Sequence, residues 1–600
     1  MAVDTTITSA DNTLAPDTSG ILAMIGPSEL GTVGLVYQLS PGQEPYDTLG
    51  GGQLSEDAAF ELDQGATIVA VPATTTAGSI GTVSHEDAAG DGPGTGPSIT
   101  VTGTPLIDLP LFIAKIKTGG DRDGGAAIIS IAFDGSTYVL DIPIPPAPQA
   151  VLIGTVDLTG LTLSTLNAET LKITPDDHAQ ITVTFTAPTS VADVIDQINT
   201  QLTSGGTAAR AILYQGKFLK LYSATHGTGS TLAVDATSTA DTTLGISNTP
   251  AAGANATTSL PYTGLTLTFA SGTYVVNETY AAPIVGLSCS QTAILAACDA
   301  LRDSGVPFGQ LLITQPPADG AALRALVDAV TSKVNGWGSG AEAIWVDVIV
   351  ASPLGATGST GIQTNDNDVK AAMLGQVDKT ILVAHGDAYV AGHRIQGEHR
   401  ASIARAVAAR LATQRLSQDP GYGAAGALPG VNMTGPDGVA RARNEATAVV
   451  KMGGSTGPGF TVLTTKRGDP YVVHGVTRAG QASRYVHVGV LRMAYRVAQV
   501  LFGYAQTVEN WDPFLSGNGT IRQSDGDTLA GAAYEVVAEA VLRAPNQHAS
   551  DAIVDVDRTE VVANTDHLTF TAEVQMRGQA ENISLKITTT GILTLPDQAA

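Results

Sequence analysis

Few positions in this chain of 600 residues combine residue types at the spacings that chemistry requires. One Gly-x-Ser-x-Gly run, Gly453-Gly454-Ser455-Thr456-Gly457, would carry a nucleophilic serine. It lies in the Gly-rich stretch KMGGSTGPGF and lacks the strand-to-helix elbow that exposes such a serine; a hydrolase would also need a base within reach of Ser455. His385, Asp387, His393 and His399 are close in sequence. His393 and His399 are not the i, i+4 pair of a metal-binding helix, however, and no cysteine joins them, so ordinary surface or loop histidines are expected. The adjacent acids Asp176-Asp177 and Glu56-Asp57 cannot oppose each other across a glycosidic bond, and are read as caps or solvated carboxylates. Cys289 and Cys298 fall in SCSQTAILAACDALRDSG, whose apolar spacing is helical. Nine residues of helix span ~13 Å, against a Cα limit of ~7 Å for a disulfide, so buried thiols are expected. No Gly-x-x-x-x-Gly-Lys-Ser/Thr loop is present to cradle a phosphate. The residues thus predict no catalytic site, no cofactor and no metal.

Composition narrows the class. The chain is 43% hydrophobic and only 14% charged, with 67 glycines, a profile of folded, strand-rich or assembled proteins. So low a charged fraction fits a surface that meets other protein. The net charge of −25 argues against nucleic acid as a partner, but it is unevenly spread. Between Gly392 and Val500 stand 14 Lys/Arg and five Asp/Glu, a local +9 that leaves −34 for the rest. No charged-then-apolar leader and no run near ~18 apolar residues is seen, so neither a signal peptide nor a membrane span is expected.

The elements that would position these residues fall into blocks. Residues 1–20 are polar, Thr-rich and without a helical stripe, so they predict an extended arm. From Ile21 to about 80, two apolar runs, a helix SEDAAFELDQG with Ser55 as N-cap and the strand ATIVAVPA predict an α/β opening. AAGDGPGTGPS then reads as a linker. Residues 81–151 and 251–283 alternate apolar side chains between turn signals at Asp134–Gly135 and Ser271–Gly272, which predicts a β-sandwich-like domain. Nested in it, 152–250 carries the helix TSVADVIDQINTQL, capped by Thr189 or Ser190, between strands. Its Val191, Val194, Ile195 and Ile198 make one apolar face over a small sheet. From 284 to 450, continuous apolar strands alternate with helices, as in a sheet covered on both faces, and EHRASIARAVAARLATQRL reads as one long helix with Ile403, Val407 and Leu411 on a stripe. Residues 451–582 predict a C-terminal α+β domain, and 583–600 a second arm.

Two resemblances appear in these blocks. SVADVIDQIN, YQGKFLKLYSA, GTGSTLAV and ADTTLGI resemble the flagellar-hook IN motif over about one sixth of the chain. GPSELGTVGLVYQL, DTLGGG and SEDAAFELDQGATIVAVPA, with GDPYVVHGVTRA, SRYVHVGVLRMAYRVAQVL and MRGQAENISLKITT near the end, are similar in order to contractile phage-type tail sheath proteins. This second likeness spans 1–80 and 284–600, about two thirds of the chain; the nested domains at 81–283 and the segment from Glu509 to Leu529 depart from it.

The sheath resemblance implies an α/β and α+β multidomain fold: a sheath core of mixed α/β, mainly β inserted domains that face outward, and extended terminal arms. It implies a structural subunit that polymerises helically around an inner tail tube and contracts, in a virion tail assembled in the host cytoplasm. Baseplate and tail terminator proteins would be its further partners, without nucleic acid or membrane insertion. Arms that add strands to neighbouring copies would keep such a lattice connected. The expected exchange residues are Val3, Thr5, Ile7, Ile583, Leu585, Ile587 and Ile592, with Pro16, Gly20, Gly578 and Gly591 as hinges. The basic stretch would face the tube, through Arg400, Arg405, Arg410 and Arg415. The alternative, a filament or surface-decoration protein of a hook-like, non-contractile assembly, would pair long terminal heptad helices, whereas these ends are extended.

Overall fold

The computed structural model describes residues 20–594 other than 124, 126, 134–139, 177, 339–342, 356–357, 396–397, 421–425, 435–438, 443–458, 480–482, 509–514, 544–546, 561, 563–567, 577–581 and 589–592. It divides into two compact units. The first takes the residues up to Gly78, Leu106–Leu109 and everything from Gly286 onward; the second takes Ser79–Pro105 and Pro110–Val285.

The first unit is built on strands β1 (Ile21–Gly26), β2 (Tyr37–Leu39), β3 (Thr67–Pro72), β4 (Gln310–Ile313), β5 (Asp347–Ala351) and β6 (Ile381–Ala384), in the order β2-β3-β1-β4-β5-β6. All neighbours run parallel except β2 on β3. Parallel strands need covered crossovers, and the chain supplies helices on both faces. Met24, Ile68, Leu312, Ile349 and Leu382 point to the side of α1 (Gln53–Asp63) and a later helix, α5 (Ala404–Thr413). The alternate residues Ile25, Val69, Leu311, Val348 and Val383 face α2 (Gln291–Asp303), α3 (Gly320–Asn335) and α4 (Gly358–Ala372). Ser290 and Asp319 cap α2 and α3, accepting from Ala293 N at 3.1 Å and Ala322 N at 2.8 Å.

Helix α1 starts at Gln53, not after Ser55: Gly52 is its N-cap, at φ 122°, where a Cβ would stand 2.9 Å from the Pro27 carbonyl oxygen. Ser55 is buried in the first turn. The expected long helix from Glu398 is also corrected. Glu398–Ser402 is a strand (β8) paired antiparallel with β7 (Asp387–Ala391), and only Ala404–Thr413 is helical, with Val407 and Leu411 buried as the stripe predicts. Asp387–Ala391 follows β6 closely in sequence but belongs to this separate sheet.

Helix α6 (Val488–Thr507) is buried almost all round, including Arg492 and Arg496. It packs with α7 (Gln523–Val537) on an antiparallel sheet of β9 (Ala549–Val556), β10 (Thr569–Met576), β11 (Asn582–Thr588) and β12 (Leu593–Thr594), in that order. Its other side reaches Trp345, whose ring meets Phe502 edge-on at 5.5 Å.

The second unit holds two β cores. Leu140–Pro143, Ile128–Phe133, Leu109–Thr118, Thr279–Val285 and Ser79–Ile80 form one sheet, and Ala256–Leu260, Leu265–Phe269 and Ile99–Gly103 another. The segment expected as a linker is partly built in. Glu278, 1% exposed, accepts from Thr95 N at 2.7 Å and Gly96 N at 3.1 Å, which ties the Gly-rich loop down. The nested module covers two small sheets, rather than one, with the helix Val191–Ser204, capped by Ser190 at 3.1 Å to Asp193 N. Val194, Ile198 and Leu202 are its buried face. The turn at Asp134–Gly135 lies outside the described residues.

Candidate functional site

Of the four arginines expected to face a tube, two are internal. Arg400, on β8, donates to the Asp387 carboxylate and to the carbonyls of Leu354 and Gly355, the last at 3.0 Å. Arg441 shares Asp387 at 3.0 Å, lies over the Tyr389 ring and donates to its hydroxyl at 3.2 Å. Arg405, on α5, sits 2.6 Å from Asp57 and 6.0 Å from the Phe60 ring. Arg400 and Arg405 are each 2% exposed, so neither is a surface cation. A charge removed from water needs a partner in the same core, and these side chains have theirs at Asp387 and Asp57. Arg410 is half-buried and donates to the carbonyls of Gly426 at 3.0 Å and Ala427 at 2.9 Å, while Arg415 is exposed. Burial takes further arginines of the basic stretch: Arg478, 0% exposed, donates to Met373 O at 2.6 Å and Gln376 O at 3.1 Å beyond the end of α4. Among the described residues Arg400, Arg405, Arg441, Arg478, Arg492 and Arg496 are all buried, so a substantial part of the local excess is internal and does not form a basic face.

The C-terminal exchange strand pairs with its own chain. β11 returns antiparallel on β10, with Ile583 opposite Val574, Leu585 opposite Ala572 and Ile587 opposite Phe570. Leu585 and Ile587 are fully buried. The strand expected to add to a neighbouring copy thus has a partner of matching length in its own chain, Thr569–Met576. Val3, Thr5, Ile7 and Ile592, with the hinge residues Pro16, Gly578 and Gly591, lie outside the described residues. Among the described residues no strand pairs with the outer edge of β9, whose outward face carries Ile553, 61% exposed. Further apolar side chains stand in solvent on two loops: Leu30, Val33 and Leu35 on the loop leaving β1, and Leu374 and Val377 on the loop entering β6. The sequence marks these only as apolar residues inside Gly-containing turns, which no periodicity picks out.

The candidate chemistry is occupied by structure. His385 Nε2 is 2.9 Å from Asp366, while Ser352 Oγ contacts the Gly386 amide at 3.2 Å; no serine–histidine hydrogen bond links them among the described residues. Burial pushes both Cys289 and Cys298 up to about 12, so neither thiol ionises readily. Asp176 accepts from Ala224 N at 3.1 Å and Thr231 N at 3.1 Å as a turn anchor. Glu56 and Asp57, expected as caps or solvated acids, are buried at 1% and 2% exposure, Glu56 in the first turn of α1. His393 bridges Glu44 and Asp63 at 3.1 Å each; burial alone would lower its pKa, but the two carboxylates hold it raised. Among the described residues no three His, Cys, Asp or Glu side chains converge to hold a metal ion. Ser455 lies outside them.

No protein-family model matches the chain, and no curated protein matches it. Among solved structures, it is similar to a sheath tail protein from Desulfitobacterium hafniense at 11% identity, covering 96% of this chain and 97% of that one with a TM-score of 0.40. A sheath tail protein from Listeria innocua gives 9% identity, 96% coverage of each chain and a TM-score of 0.40. The helical sheath of the anti-feeding prophage in its contracted state gives 14% identity over 48% of this chain and 72% of that one, with a TM-score of 0.32.

Proposed function

We propose that this chain is the structural subunit of a contractile tail sheath, which polymerises helically around an inner tube and shortens without an enzymatic step. The observation that carries the reading is the interrupted core: the segments up to Gly78 and from Gly286 close on each other as one unit and bracket a second unit with cores of its own. That organisation suits a lattice-forming body into which outward-facing domains have been spliced, the arrangement implied by the order of sequence segments that resemble sheath proteins. Solvent-facing Leu30, Val33, Leu35, Leu374, Val377 and Ile553 on the first unit are suited to contacts between copies.

In this reading one arm, not two, links neighbours. Val3, Thr5 and Ile7 of one copy add to the outer edge of β9 in the next, where main-chain hydrogen bonds tolerate sliding side chains. Arg410 and Arg415 remain as weak contacts to the tube. Baseplate and terminator proteins bound the cylinder, in a tail assembled in the cytoplasm of the host. Electron microscopy of the purified full chain tests the proposal: long striated cylinders are expected, and discrete monomers at every concentration and salt condition would overturn it.

A further inference from the structure

Helix α1 buries three carboxyl groups, Glu56, Asp57 and Glu61, at 1%, 2% and 0% exposure. They face α5, β8 and the turn Tyr46–Leu49. From α5 comes Arg405, paired with Asp57; the other cation of that helix, Arg410, is held by the carbonyls of Gly426 and Ala427. From β8 comes His399, 2% exposed, while its neighbours Arg400 and Glu398 bond Asp387 and Asn432. The Tyr46 hydroxyl donates to Glu56, the His393 amide donates to Glu56 at 3.2 Å, and Gln53 donates to Asp57 at 2.8 Å. Strands β1 and β3, also packed on α1, carry no titratable side chain. At the solvent end stand Asp63, Glu44, His393 and Arg394.

Fully ionised, this seam would set three carboxylates against one guanidinium. Glu56 and Asp57 have donors. Neither oxygen of Glu61 has a hydrogen-bond partner; the Ala409 amide lies toward it without closing a hydrogen bond. An ionised carboxylate buried without a hydrogen bond is disfavoured against its protonated form, so burial favours a proton on Glu61. We propose that the seam between α1 and α5 is held closed by a proton on Glu61 and opens when that proton leaves.

The neighbouring groups set the pH window. Burial holds Glu61 well above the usual carboxylate range, against the pull of Arg405, and raises Asp57 to about 6, while it lowers His399 to about 4. Glu61 and Asp57 bind their protons more tightly folded than unfolded, so the stability they contribute is complete at acid pH and falls as pH rises. His399 has the opposite sign: its contribution is lost as pH falls from 6.5 toward about 4, so it opposes Asp57 in that range. If Glu61 keeps its proton at neutral pH, as proposed, the groups of this cluster that still weaken the fold as pH rises above 6.5 are Glu61 and, at the rim, His393. Tyr46 stays protonated, held far above its ordinary value by burial and by Glu56.

The test is native-state hydrogen exchange on the full chain at pH 6.5 and pH 9, expressed as protection factors so that intrinsic exchange chemistry cancels. In the wild type α1 and α5 should lose at least ~10-fold protection relative to α3, the change that one pKa unit of linkage supplies. Glu61→Gln, which keeps shape and cannot ionise, should lose at most the smaller part that His393 contributes at the rim, and Asp63→Asn, which pairs with that rim histidine, should keep most of the wild-type loss. A flat wild-type profile, an unchanged loss in Glu61→Gln, or a Glu61→Gln chain that fails to fold at neutral pH would each overturn the proposal. It concerns the interior of one subunit, so it stands or falls independently of whether cylinders form.

Discussion

Asp387 is the residue on which two buried cations converge, Arg400 and Arg441, and its loss would take the same countercharge from both. Removing one member of a buried ion pair costs about 3–5 kcal/mol, far above the ~0–1 kcal/mol of an exposed pair. Asp387→Asn should therefore lower the unfolding free energy of the first unit, read from urea denaturation, by an amount in that range, whereas Arg543→Ala, at an exposed pair with Glu535, should leave it nearly unchanged. Equal small effects from both would show that the network is not what holds this core. The same residues explain what could and could not be read from the sequence. Arg400 and Arg405 were expected to face outward, toward a tube, because helical spacing assigns only the apolar stripe of Ile403, Val407 and Leu411, and says nothing about what faces the remaining side. Their partners are Asp387, on a neighbouring strand, for Arg400, and Asp57, in the distant first segment of the core, for Arg405, which only tertiary structure brings together.

At the scale of elements, β11 locks onto β10 through Leu585 and Ile587, both fully buried. Leu585→Ala should cost about 2–5 kcal/mol in the unfolding of the C-terminal sheet, as large-to-small changes in a packed core do. Ile553→Lys, on the outer face of β9, should stay within about 0.5 kcal/mol of wild type, yet lower the yield of cylinders, because charge at an open edge discourages strand addition. A normal yield from Ile553→Lys would exclude that edge as a contact. The strands of the parallel sheet were legible because burial on both faces writes them as unbroken apolar runs, such as LLI before Thr314 and VIVA before Ser352. The boundary at Glu398 was not legible. EHRAS has no strand periodicity of its own, and its extended form comes from pairing with Asp387–Ala391.

For the whole molecule, the nested module enters and leaves at neighbouring points, since a Cβ on Gly253 would stand 2.6 Å from the Pro148 carbonyl oxygen. Replacing residues 149–252 by a short Gly/Ser turn should leave the melting of the first unit unchanged and cylinders still forming. Loss of folding in the first unit would show that the module is part of its core. Helix α6 makes the opposite point. Its 20 residues depend for cover on sheets formed from both sides of it in the sequence, β5 before and β9–β11 after. During synthesis the ribosome releases this helix some forty residues before β9 exists, so for several seconds, at ~5–20 residues per second, the nascent chain carries a greasy cylinder with half its wrapping missing. Messages cut short before Ala549 should for that reason yield aggregates and chaperone-bound chains rather than smaller working proteins.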